Sequence, residues 1–70
     1  MDSQKFGTFI SELRKVRGWT QLELAQKLNV TDKAVSKWEN GKSKPSTETL
    51  RKLAELFGVS VDSLLEKKQV

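Results

Sequence analysis

Apolar residues along this chain fall at helical spacing in one segment after another. Phe6, Phe9, Ile10, Leu13 and Val16 line one side of a helix with 3.6 residues per turn, which predicts an amphipathic helix from about residue 4 to 17. Ser3 is placed to cap its start, and Gly18 to end it in the left-handed conformation. Leu24, Ala25 and Leu28 form the apolar side of a shorter helix, about 21 to 28. It opens with Thr20-Gln21-Leu22-Glu23, a capping box in which the Thr20 hydroxyl and the Glu23 carboxylate each satisfy an orphaned backbone N–H. Trp19 and Leu24 take the two positions of a hydrophobic staple. Asn29 is one of the few residue types that tolerate the left-handed region, so a tight turn is expected there.

Thr31 can cap a third helix, about 32 to 39, whose inward side is Val35 and Trp38 and whose end is Asn40-Gly41. After the polar loop GKSKP, Ser46 caps a fourth helix, about 47 to 57, with Leu50, Leu53, Ala54 and Phe57 on one face and Gly58 as its stop. Ser60 begins a short fifth helix, Val59 and Leu64 repeat the staple pattern, and EKKQV is a polar tail expected to fray. No segment alternates apolar and polar residues long enough for a strand. The expected fold class is all-α, a compact bundle of five short helices. Each is too short to stand alone, so tertiary packing must hold them. A chain of 70 residues has room for one domain, placed at 6–65, with an N-terminal segment 1–5 and the polar tail 66–70.

Composition narrows what this domain can do. At 36% hydrophobic and 31% charged it is globular, not disordered. There is no cysteine and no histidine, which removes disulfides, the usual zinc constellations and the Ser-His or Cys-His nucleophile systems. No metal or cofactor is expected, and the chain is not read as an enzyme. Asp2, Lys5 and Glu12 interrupt the apolar residues at the N-terminus, against a signal peptide or a membrane span, so a cytoplasmic location is expected. The net charge of +4 suits an anionic partner if it is concentrated in one place.

The second and third helices, joined by Asn29, Val30 and Thr31, have the lengths and the turn of a helix-turn-helix, in which the second helix enters the DNA major groove. With Val35 and Trp38 inward, Asp32, Lys33, Ser36 and Lys37 share the opposite face. Lysine can donate to guanine O6 and N7, serine can donate or accept, and aspartate can accept from the cytosine amine. Asp32 equally suits the positive end of its own helix and is repelled by phosphate. A merely solvated helix face would have the same spacing. The lysine excess favours contact: from Lys33 to Lys44 there are four lysines against one acid, Glu39. Lys42 and Lys44 lie on the adjoining loop, and the free N–H groups at the helix starts after Thr20 and Ser46 are further anion sites.

Other features yield less. Gly41-Lys42-Ser43 ends like a phosphate-binding P-loop, but that motif needs glycine where Ser36 stands and a strand where a helix is expected. Trp19 and Trp38 could stack on bases, yet their staple and inward positions favour core packing. Leu22 is expected on the polar side of its helix.

The run TQLELAQKLNVTDKAVSKWENGKSKPSTETLRKLAELFGVSVDSLL, with FISELRKVRGW before it, resembles the lambda-repressor-like, Cro-type (XRE) helix-turn-helix family over about residues 6 to 65. The resemblance implies a compact five-helix DNA-binding domain acting as a transcriptional repressor on a double-stranded operator, as a homodimer on DNA. It places base reading on Asp32, Lys33, Ser36 and Lys37, and phosphate contact on Thr20, Gln21, Asn40, Lys42 and Lys44. It also implies a structural pair between Arg14 and Glu39. Many members have glycine where Asn29 stands. A protein-interaction module on the same fold, antitoxin-like or adaptor-like, stays open; an exposed apolar patch at Leu56, Val61 and Leu65 would favour it.

Overall fold

The computed structural model describes residues 3–66, with side chains from 4 to 65. Five helices succeed one another, α1 Ser3–Val16, α2 Gln21–Leu28, α3 Asp32–Glu39, α4 Thr47–Phe57 and α5 Val61–Glu66, and no strand occurs among the described residues. The Ser3 side chain, expected to cap α1, and the tail beyond Glu66 lie outside the described residues.

The helix ends are fixed by local chemistry. At α2 the Thr20 hydroxyl accepts from the Glu23 N–H at 3.0 Å, and the Thr20 N–H donates to Glu23 Oε1 at 2.9 Å, so the capping box is complete. Thr31, Ser46 and Ser60 accept in the same way from the N–H groups of Ala34, Thr49 and Ser63. Asn29 closes α2 at φ 59° and ψ 44°, the left-handed turn that aims α3 back across α2.

Each helix contributes to one core: Phe6 and Ile10 from α1, Leu24 and Leu28 from α2, Val35 and Trp38 from α3, Leu53 and Phe57 from α4, and Leu64 from α5. α3 packs between α1 and α2, while α4 and α5 close the other side. α1 crosses α3 at Gly7, which is buried. A Cβ there would collide with the Trp38 carbonyl oxygen and stand 2.7 Å from that of Glu39. A mid-helix glycine lowers helix propensity, but here it lets two backbones touch.

Val16 departs from the expected apolar face and is 83% exposed. Ten residues after Phe6, the 100° step per residue has carried it roughly 80° round the helix, off the buried stripe, which ends at Leu13.

Candidate nucleic-acid interface

The outer face of α3 is set by its inner one. Val35 and Trp38 are 0% and 4% exposed, which turns Asp32, Lys33 and Lys37 to solvent and leaves Ser36 half-buried beside them. No ion pair or hydrogen bond ties Lys33, Lys37, Lys42 or Lys44 to another described side chain. Their charges are therefore open to an external partner. Glu39, the acid within the same stretch of sequence, is turned toward α1. Its carboxylate receives Arg14 Nε at 2.7 Å on Oε2 and Arg14 Nη2 at 3.0 Å on Oε1. The strip from Lys33 to Lys44 thus presents four lysine charges with no acid among them facing outward.

Arg14 and Glu39 also fix the helix-turn-helix as a unit. Arg14 Nη1 donates to the Trp19 carbonyl at 2.7 Å, and Gln21 Nε2 donates to Glu39 Oε1 at 3.1 Å. One carboxylate at the end of α3 therefore holds the end of α1 and the start of α2. The hydrogen bond to Glu39, opposed by burial and reinforced by attraction between the charges, raises the Arg14 pKa. The guanidinium stays ionised at any working pH.

Among the other residues singled out in the sequence, the structure separates outward donors from those with internal partners. Lys42 and Lys44 are both exposed on the loop between α3 and α4. Thr20 keeps its hydroxyl proton, since Oγ1 acts in the protein as an acceptor. Gln21 gives one Nε2 proton to Glu39 and retains the other. Asn40 is exposed, and its amide folds back along α3: Nδ2 donates to the Ser36 carbonyl at 2.8 Å and to Ser36 Oγ at 3.3 Å. The capping bonds leave the N–H groups of Gln21 and Leu22 at α2, and of Thr47 and Glu48 at α4, facing out of the helix starts.

Arg17, which the sequence pattern did not single out, is structural, and so is the Trp19 of the staple. Arg17 donates to the carbonyls of Leu56 and Phe57 at 3.4 and 3.2 Å, closing the end of α4. Trp19 is half-buried, with the Phe57 ring centroid 5.9 Å away and Lys27 Nζ 4.6 Å over its ring. Leu56, Val61 and Leu65 pack against the core as partly buried residues, so the apolar patch that would favour a protein-interaction module is not presented there. Among the described residues, the large apolar side chains that do stand in solvent are Val16 and Leu22. No group of acids among the described residues could hold a metal ion, and no described helix is long and apolar enough to cross a membrane.

A family model described as helix-turn-helix matches residues 10–64. The chain is 42% identical over 64 residues to the HTH-type transcriptional regulator ImmR of Bacillus subtilis (strain 168), covering 91% of this chain and 50% of ImmR. It is 36% identical over 66 residues to the HTH-type transcriptional activator BcrR of Enterococcus faecalis, covering 94% of this chain and 32% of BcrR. The chain thus spans half or less of these two regulators. Its structure is similar to that of the restriction-modification controller protein C.AhdI from Aeromonas hydrophila, with a TM-score of 0.79 and 30% identity over 90% of this chain and 91% of that one.

Proposed function

Because this chain belongs to the Cro-type (XRE) helix-turn-helix family, we propose that it binds duplex DNA in a sequence-dependent way and regulates transcription, with α3 in the major groove. The observation that carries this reading is the outer face of α3. Asp32, Lys33, Ser36 and Lys37 stand opposite the buried Val35 and Trp38, and the lysine excess continues without a break into Lys42 and Lys44. Lys33, Ser36 and Lys37 meet base edges, and Asp32 accepts from a cytosine amine or stays at the helix start as its counter-charge. Lys42, Lys44, the Thr20 hydroxyl, the second Gln21 amide proton and the free N–H groups at the starts of α2 and α4 hold phosphates.

Occlusion of a promoter is the simplest consequence of such binding, so repression is the proposed sign. Two copies on a two-fold operator would place half-sites about one helical turn apart. Duplex DNA as the partner implies a cytoplasmic location. The test is selection of bound sites from random duplex DNA, with the mass of the complex measured alongside. A palindromic consensus bound by two copies is expected. A pool that gains no sequence preference would overturn the reading.

A further inference from the structure

Ser36 and Asn40 stand one helical turn apart at the end of α3, and the bonds between them run in one direction. Asn40 Nδ2 donates to the Ser36 carbonyl at 2.8 Å and to Ser36 Oγ at 3.3 Å, and the Asn40 backbone N–H also donates to that carbonyl at 3.0 Å. A carbonyl oxygen can only accept, so the amide nitrogen of Asn40, not its oxygen, must face Ser36. Ser36 Oγ is thereby an acceptor inside the protein. Among the described residues its own proton reaches no acceptor. The usual sink for a mid-helix serine, the carbonyl four residues earlier, here that of Asp32, receives no bond from it.

We propose that Asn40 is a positioning residue that presents Ser36 to the major groove as a hydrogen-bond donor. The Ser36 proton is then free to read the opposing base edge through an acceptor, guanine N7 or O6, adenine N7 or thymine O4. The inference rests on α3 being the groove helix. It also removes Asn40 from the phosphate contacts, because its side-chain donors are turned onto Ser36.

The test uses the preferred duplex and the three duplexes that carry the other base pairs at the position where Ser36→Ala changes affinity. Asn40→Ala should reduce preference at that base pair by roughly 3- to 10-fold, the worth of one neutral hydrogen bond, and at no other. In the Ser36→Ala background it should reduce preference no further. Asn40→Asp supplies an acceptor that draws the Ser36 proton inward, so preference at the same base pair should relax or invert. The added charge weakens every duplex alike and cancels in the ratio. Thermal unfolding of each variant separates a lost contact from a lost fold.

Equal weakening on all four duplexes by Asn40→Ala, present also without the Ser36 hydroxyl, would identify a phosphate contact and overturn the proposal. Unchanged preference in Asn40→Ala, or no base-specific effect of Ser36→Ala, would overturn it as well. If the unsubstituted protein already prefers no sequence, the groove reading itself fails, and the proposal with it.

Discussion

Gly7 sits inside a helix, where alanine would raise helix propensity by about 1 kcal/mol. The surroundings reverse that preference. A Cβ at this position meets the backbone oxygens of Trp38 and Glu39, which cannot rotate aside as a side chain could. Overpacking of this kind costs about 1–3 kcal/mol and exceeds the propensity gain. Gly7→Ala should therefore lower stability, read as a reduced urea midpoint, and α1 should lift from α3. A more stable variant would show that the crossing can open. Asn29 is the converse case, where sequence alone predicted the backbone. A short polar side chain tolerates φ 59° because it imposes little steric conflict.

At the level of helices, three elements depend on one carboxylate. Arg14 and Glu39 are 12% and 7% exposed at their side chains, so solvent would replace their partners poorly. Glu39→Ala leaves the Arg14 guanidinium half-buried with only the Trp19 carbonyl, and frees Gln21 at the start of α2. Breaking such a pair should lower unfolding free energy by about 3–5 kcal/mol in urea titration. Arg14→Lys keeps the charge but cannot supply a bidentate fork together with a third bond, so it should recover only part of that loss. Equal stability of Arg14→Lys and the unsubstituted protein would assign the effect to charge alone. The spacing between Arg14 and Glu39, 25 residues apart, carries no local signal. The pair was legible through family resemblance, whereas the Gln21 and Trp19 bonds needed coordinates.

Over the whole molecule the proposed contacts are of two kinds, one on α3 and one on the loop after it. The radius of gyration of 10.7 Å is that of a compact domain, for which about 11 Å is expected. Lys37 lies on the outer face of α3, proposed to read bases, and Lys44 on the loop beyond it. Lys37→Ala should lose about 1–3 kcal/mol on the preferred duplex and relax selectivity at one base pair. Lys44→Ala should weaken all duplexes similarly and make the log–log salt slope less negative by about 0.9. Binding isotherms at several salt concentrations check both, and identical behaviour of the two variants would contradict the division into base and phosphate contacts.

Helix bounds were legible because caps, staples and left-handed stops are written in adjacent residues: α2, α3 and α4 begin after Thr20, Thr31 and Ser46, and α2 and α4 stop at Asn29 and Gly58. Periodicity likewise sent Val35 and Trp38 inward, and so determined which side of α3 faces out. The exposed Val16 and the buried Gly7 show where that reasoning stops, since each depends on where one helix meets another. The sequence counted Glu39 against its neighbouring lysines, and only the fold could show that Arg14 neutralises it from a different helix. Nor could composition say that Asn40 donates to Ser36, because hydrogen-bond direction depends on atoms brought together. What the sequence by itself determined is local, the helices and their apolar faces, because propensity and capping act within a few residues. Which polar groups remain for a partner was decided by tertiary structure, because that depends on which donors and acceptors the packed helices have already joined.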